Sequence, residues 1–222
     1  MLCVPIIAKN TEEAIEKILR ANELADILEI RLDLMGSFRL AEVLQATSRP
    51  VIVTYRSKRE GGCGLARYET QTHYLLDAIK AGADFVDVEY KMPLEFRHEL
   101  FKRRGTSKII ISTHIRNGTP QKERLERILK EMASTGADAV KIVTNARSPE
   151  DNLSVLGLIP VARKLGIDII AFCMGPKGRI SRVLSHLMGG YVTFASLGEG
   201  EESADGQIPI MEMKKILEYF SP

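Results

Sequence analysis

Ala81-Gly82-Ala83-Asp84-Phe85-Val86-Asp87-Val88-Glu89, residues 81 to 89, holds the join that decides the fold. Gly82 can take the left-handed conformation that ends a helix. Phe85 then opens a run of strand length and composition. The same join recurs at Thr135-Gly136-Ala137-Asp138, ahead of Ala139–Thr144, and at Lys164-Leu165-Gly166-Ile167-Asp168, ahead of Ile169–Met174. Further runs of the same kind occupy Leu2–Ile7, Ile27–Leu32, Val51–Tyr55, Phe85–Tyr90, Ile109–Thr113 and Tyr191–Leu197. The centres of the eight runs lie about 23 to 35 residues apart, the length of a strand–helix unit.

The intervals between the runs predict helices. Thr11 is the expected N-cap of the first, with Glu12 and Glu13 placed to suit its positive end. Leu125, Ile128, Leu129 and Met132 form one apolar face among charged neighbours. Ser148-Pro149-Glu150-Asp151 reads as a helix start, with a capping hydroxyl, a first-turn proline and two early acids. Pro160 should kink or divide that helix. Pro209 should start the last one, with Ile210, Met213, Leu217 and Phe220 facing inward. Eight alternating units imply a closed parallel (β/α)8 TIM barrel, one domain over residues 1–222. An open doubly wound sheet would want a glycine-rich turn after the first strand, and Ile7-Ala8-Lys9-Asn10-Thr11 has none.

Composition narrows the function classes. The 222 residues are 45% apolar and 27% charged, the balance of a globular protein and not of a disordered chain. No apolar run is long enough to span a bilayer. With 31 basic and 29 acidic residues the net charge is +2, so bulk charge does not point to nucleic acid or a membrane surface, and any anion site must be local. Cys3, Cys63 and Cys173 form no C-x-x-C pair, which argues against a disulfide framework or a zinc cluster and for isolated buried packing. The start of the chain has neither a basic n-region nor a cleavage signal, so a cytoplasmic setting is expected.

Side-chain alternation places the chemistry. Strand residues point alternately to opposite faces, and the outer face of a barrel strand must be apolar to meet the helices. The charges of Glu29-Ile30-Arg31-Leu32-Asp33 therefore point into the barrel. By the same parity Thr54, Arg56, Asp87, Glu89, Ser112, His114 and Lys141 point inward. A structural barrel would fill such positions with aliphatics, because burying charge costs several kcal/mol per ion unless each is paired. Lys141, in the middle of Ala139-Val140-Lys141-Ile142-Val143, cannot easily reach water. Desolvation and neighbouring cations such as Arg31 or Arg56 favour its neutral amine, which can condense with a ketone or aldehyde. The competing reading is a buried ion pair with Glu29 or Glu89. His114, on the adjacent strand, is placed to remove a proton from such an adduct. His73, His98 and His186 fall in predicted helices and suit packing or surface roles. Met174-Gly175-Pro176-Lys177-Gly178 opens a helix and could cradle an anion.

This set of residues resembles the type I 3-dehydroquinate dehydratase family over essentially the whole chain. The resemblance rests on Glu29–Asp33, on Thr54-Tyr55-Arg56 with Glu60-Gly61-Gly62, and on Val86–Glu89. It continues through Ser112-Thr113-His114, Lys141-Ile142, Met174-Gly175 with Ser181-Arg182, Thr193-Phe194, and Ser203 with Gly206-Gln207. It implies a (β/α)8 barrel that dehydrates 3-dehydroquinate to 3-dehydroshikimate in the shikimate pathway. Lys141 would be the Schiff-base lysine, His114 the general acid/base and Glu60 the acid that orients it. Glu29, Arg31 and Arg56 would be polar substrate contacts, and Arg182 would hold the substrate carboxylate. Ser203 and Gln207 would close over the site from a loop, with Met174 and Phe194 as apolar walls. The family uses no metal or organic cofactor and is commonly dimeric, so a homodimer is expected. This chain departs from the pattern in an acidic closing loop (Glu199, Glu201, Glu202), in Asp205 where a proline is common, and in Phe172 where some members have a second methionine.

Two other readings compete. A lysine-dependent class I aldolase shares the iminium logic but predicts a phosphate site after strands seven and eight, which Gly175–Gly178 could supply. A non-catalytic barrel would hold Lys141 and His114 in a merely structural network.

Overall fold

The computed structural model describes residues 1–220; the last two residues of the expected span lie outside them. Strands β1 (Leu2–Ile6), β2 (Ile27–Arg31), β3 (Val51–Thr54), β4 (Phe85–Glu89), β5 (Lys108–Ile115), β6 (Ala139–Asn145), β7 (Asp168–Met174) and β8 (Thr193–Phe194) all pair in parallel, in the order β7-β6-β5-β4-β3-β2-β1-β8. The Tyr191 N–H, just before β8, donates to the Ile169 carbonyl at 2.8 Å and nearly closes the ring. Helices α1 (Thr11–Asn22), α2 (Leu40–Gln45), α3 (Tyr68–Lys80), α4 (Leu94–Arg103), α5 (Lys122–Ala133), α6 (Asp151–Leu156), α7 (Leu158–Leu165), α8 (Arg179–Leu187) and α9 (Ile210–Glu218) fill the connections. The result is the expected single-domain (β/α)8 barrel. Among the described residues no helix is long and apolar enough to cross a membrane.

Parity divides the apolar residues into two cores. Val4, Ile6, Leu28, Ile30, Val86, Val88, Ile109 and Ile111 face outward into the layer of helices. Cys3, Ile27, Ile52, Phe85, Ile110, Ala139, Ile170 and Val192 face inward and form an apolar floor. Each strand then presents its next inward residue above that floor, where the polar side chains lie.

The strand entries use one repeated device. Asp26 accepts from the Leu2 N–H at 2.8 Å, Asp84 from the Val51 N–H at 2.8 Å, and Asp138 from the Ile109 N–H at 2.8 Å. Each aspartate sits just before its own strand and satisfies an N–H at the start of the preceding strand, the first in β1 and β3 and the second in β5, a donor the ladder would leave free. The glycines two residues earlier, Gly82 (φ 90°) and Gly136 (φ 82°), take the left-handed conformation, so the Gly-Ala-Asp join both ends a helix and ties two strands.

Several local expectations change. The N-cap of α1 is Asn10, whose Oδ1 accepts from the Glu13 N–H at 2.9 Å, while Thr11 Oγ1 instead accepts from the Arg39 N–H. At α6 the carboxylate of Asp151, not the Ser148 hydroxyl, accepts from the N–H groups of Arg147 and Ser148. The predicted helix does divide, at Gly157, and Pro160 falls in the first turn of α7, where a missing N–H costs nothing. β8 keeps only two residues of the predicted seven because Ser196 bridges to Pro209 instead of continuing the ladder. Phe220, expected inside, is 63% exposed beyond the end of α9.

Asp138→Ala should lower the unfolding free energy by about 1–3 kcal/mol, the range for a hydrogen bond to a charged group. Asp138 also accepts from Arg104 at 2.8 Å. Urea titration reads the change, and an unaltered midpoint would show that the strand-entry bond is not needed.

Candidate active site

Lys141 stands at the centre of the polar layer, 5% exposed, with its backbone in register with Ser112 on β5 and Ile170 on β7. Its Nζ donates to Glu29 Oε1 at 3.3 Å and to Asp87 Oδ2 at 3.2 Å, and lies 4.3 Å from the Phe194 ring centroid. The ion pair with Glu29 is thus present, and Asp87 takes the place considered for Glu89. Asp87 is shared: Arg56 Nη2 donates to the same Oδ2 at 2.6 Å, and Ser112 Oγ donates to Oδ1. Burial alone would raise the Asp87 carboxyl, but Arg56 and Lys141 beside it hold it well below the usual carboxylate range. Thr54 Oγ1 donates to Glu29 at 2.8 Å and completes the layer.

Arg56, an expected substrate contact, lines the cavity and is also the hub of the buried network, bonded to Asp87, Ser112 (2.9 Å) and Glu89 (3.2 Å), with Glu60 at 3.7 Å. Glu89 accepts in addition from the Ser57 N–H and hydroxyl. Arg31 reaches the mouth with its Nε and Nη2 already forked on Asp33, at 2.8 Å each.

Glu60 and His114 form a dyad. A short 3-10 turn, Lys58–Glu60, ends at Gly61 (φ 91°) and folds Glu60 inward. A Cβ on Gly62 would come within 2.2 Å of the Arg56 carbonyl, so only glycine permits this return. Glu60 Oε2 lies 3.2 Å from His114 Nδ1 and accepts from the His114 backbone N–H at 3.0 Å, while Oε1 is buried with no partner. Burial pushes the Glu60 carboxyl up to about 7, with Arg56 opposing and Glu89 reinforcing. The His114 ring is 12% exposed, and burial followed by the Arg56 and Lys141 charges lowers its proton affinity well below the ordinary imidazole value. His114 is therefore a neutral base at pH 7. In the β5–β6 register it sits one inward position nearer the mouth than Lys141, about 8 Å away by strand spacing, room for a small ring between them.

Arg182, on α8, is 1% exposed. Its Nη2 donates to the Asp205 carbonyl at 3.1 Å and its guanidinium lies 4.5 Å from the Phe172 ring centroid. Its Nε is buried without a partner, and no described carboxylate comes within 4.0 Å of it. Burial lowers it to about 10, so it remains a cation at pH 7, and it is the one buried cation here that lacks a counter-ion among the described residues. Ser203 and Gln207 hold each other across the closing loop, Ser203 N–H to Gln207 Oε1 at 2.7 Å and Gln207 Nε2 to Ser203 Oγ at 3.0 Å.

All eleven side chains expected at the site line one cavity of about 1160 Å³ at the C-terminal mouth of the barrel. Asp87, Ser112 and Thr54 belong to the same layer, and their inward parity is legible in the sequence although none carries a family motif role. The glycine loop does not offer an anion cradle: the Gly175 N–H donates to the Asp205 carbonyl and the Gly178 N–H to Gly175. Cys63 is exposed, while Cys3 and Cys173 are buried as expected. Among the described residues no group of three or more His, Cys, Asp or Glu is placed to share a metal ion.

Comparison with known proteins gives one result. A sequence model of the family described as Type I 3-dehydroquinase matches residues 2–221. The 3-dehydroquinate dehydratase of Methanococcus maripaludis is 35% identical over 225 residues, covering 100% of both chains. That of Methanocaldococcus jannaschii is also 35% identical, covering 97% of both. Among solved structures, the type I 3-dehydroquinate dehydratase from Clostridium difficile, determined with covalent modified comenic acid, superposes with a TM-score of 0.90 at 30% identity, covering 99% of this chain and 91% of that one.

Burial favours the uncharged forms of both Glu60 and His114, and the pH signs oppose. Glu60 binds more protons folded than unfolded between pH 4.5 and about 7, so its contribution to stability falls as pH rises through that window. His114 binds fewer protons folded, so its contribution is lost as pH falls below 6.5. In Glu60→Gln only the second term remains. Urea titrations from pH 4.5 to 7 should show the variant gaining stability relative to wild type as pH rises; a constant difference would mean that the Glu60 carboxyl titrates normally.

Proposed function

We propose that this chain, which belongs to the type I 3-dehydroquinase family and dehydrates 3-dehydroquinate in the shikimate pathway, works through an imine on Lys141. The observation that carries the reading is the common cavity. One buried amine, one neutral imidazole and one buried arginine without a counter-ion face the same space. The substrate has a ketone for the first, an acidic α-proton for the second and a carboxylate for the third. A carboxylate on Arg182 would restore charge balance in a low-dielectric site and would fill the fork geometry that arginine presents.

The steps follow from these positions. Lys141, held as an ammonium by Glu29 and Asp87, passes a proton to Glu29; its amine adds to the ketone carbon, and that proton leaves with the oxygen as water, giving an iminium. His114 takes the α-proton through its free ring nitrogen, Glu60 holding the other, and the C–H electron pair moves into the iminium to give an enamine. The enamine returns that pair as the β C–O bond breaks, and the imidazolium donates its proton to the departing hydroxyl. Hydrolysis of the product iminium frees 3-dehydroshikimate and Lys141. Glu29 and Asp87, which now hold the ammonium, would stabilise the iminium cation in turn. Met174, Phe172 and Phe194 exclude water from the ring, and Ser203 and Gln207 exchange their mutual bonds for substrate hydroxyls. The aldolase reading lacks its phosphate site, since the Gly175 and Gly178 donors are occupied.

We also take the active species to be a cytoplasmic homodimer. Free Cys3, Cys63 and Cys173 suit a reducing compartment, and exposed Ile180 and Leu187 on α8, Met188 directly after it and Met211 on α9 supply apolar surface for a second copy.

Borohydride added with 3-dehydroquinate should leave one covalent adduct, located by mass spectrometry on Lys141 and missing in Lys141→Ala. An adduct on another lysine rejects the assignment. His114→Ala should still trap the imine while turnover falls about 10²–10⁴-fold, the usual worth of a positioned acid–base group. Wild-type turnover in that variant would remove His114 as the base.

A further inference from the structure

The cavity of about 1160 Å³ is several times what one six-membered ring with its substituents can fill. Its lining extends beyond the site residues toward the ends of β4 and β5. There it is lined by Lys91, two residues past β4, Arg116 directly after β5 and Arg124 in the first turn of α5. All three are exposed, and no described carboxylate lies within 4.0 Å of any of them. Arg59 adds a fourth charge at the rim, bonded to the Tyr68 hydroxyl and stacked on its ring. Arg116 is held against the site, since its guanidinium stem lies 3.3 Å from where a Cβ on Gly61 would stand, next to the Glu60–His114 dyad.

The opposite side of the mouth is mixed: Arg182 is a buried cation there, and of the loop's acids only Asp205 lines the cavity. The closing loop carries Glu199, Glu201, Glu202 and Asp205. Glu201 is turned away from the mouth, onto Arg20 at 3.2 Å. With a net charge of only +2 on the whole chain, the basic cluster is local. A cluster of like charge at one edge of a cleft concentrates the oppositely charged ligand and raises its capture rate, typically 10–10³-fold.

We propose that Lys91, Arg116 and Arg124 form an electropositive vestibule that captures the carboxylate-bearing substrate on the β4–β5 side and passes it to Arg182 across the mouth. This rests on the function proposed above, because it requires an anionic substrate in this cavity. The three side chains act before chemistry. They raise kcat/KM and leave kcat alone.

The test is the triple variant K91Q/R116Q/R124Q, assayed with 3-dehydroquinate from low to high ionic strength. A second triple variant, K102Q/K130Q/K164Q, removes the same charge from helix C-termini at the far end of the barrel. At low ionic strength the vestibule variant should lose about tenfold or more in kcat/KM. Its kcat should stay within about twofold, and the difference from wild type should vanish near 0.5 M salt, where screening is complete within a few ångströms. The far-end variant should match wild type throughout. An equal loss at every ionic strength, a loss in kcat, no loss, or the same loss in the far-end variant would each overturn the vestibule. Borohydride trapping on both variants separates the two ideas. A Lys141 adduct with no salt-dependent loss rejects the vestibule alone, whereas no Lys141 adduct in wild type rejects the imine.

Discussion

Asp87 carries two cations on one oxygen. Its Oδ2 accepts from Arg56 at 2.6 Å and from Lys141 at 3.2 Å, and its Oδ1 accepts from Ser112. From that carboxylate the network runs to Glu29 and Thr54 on one side and to Glu89 and Ser57 on the other. Moving a charge from water into a protein interior costs several kcal/mol, so each ion here depends on the others. Removing one partner leaves an uncompensated buried charge, which is why the inner layer behaves as a unit spanning β2 to β6.

The same low dielectric sets the reactive states above that layer. The apolar floor from Cys3 to Val192 keeps water out from below. Burial then acts on whichever group the network leaves unpaired. It keeps His114 neutral, raises Glu60 and leaves Arg182 as a cation waiting for an anion. Base, orienting acid and anion site thus share one physical origin: paired charges make the layer, and incompletely paired ones at its edge make the chemistry.

Much of this was legible in the chain because strand alternation is local. Glu29, Arg31, Asp87, Glu89, Ser112, His114 and Lys141 all point inward, as period-two parity requires. The Gly-Ala-Asp joins marked where helices end. Legibility failed where neighbours compete for the same donor. Asn10 and Thr11 are both good caps, and the fold gave Thr11 to Arg39. The Asp151 carboxylate displaced the Ser148 hydroxyl because a charged acceptor bonds more strongly. The meeting of Arg56 with three carboxylates was not legible either, because parity gives its direction but not its distance from them.

Alternation and helix-ending glycines, then, determined the barrel, the face on which each charge stands and the pairing of Lys141 with His114 on adjacent strands. Those features depend on residues a few positions apart. Only the tertiary structure decided that Asp87 rather than Glu89 meets Lys141, that Arg182 has no counter-ion among the described residues, and that Lys91, Arg116 and Arg124 share one side of the mouth. These depend on how far each strand is shifted against its neighbour and how the ring closes, and Glu29 and Lys141, 112 positions apart in the chain, meet only when it does.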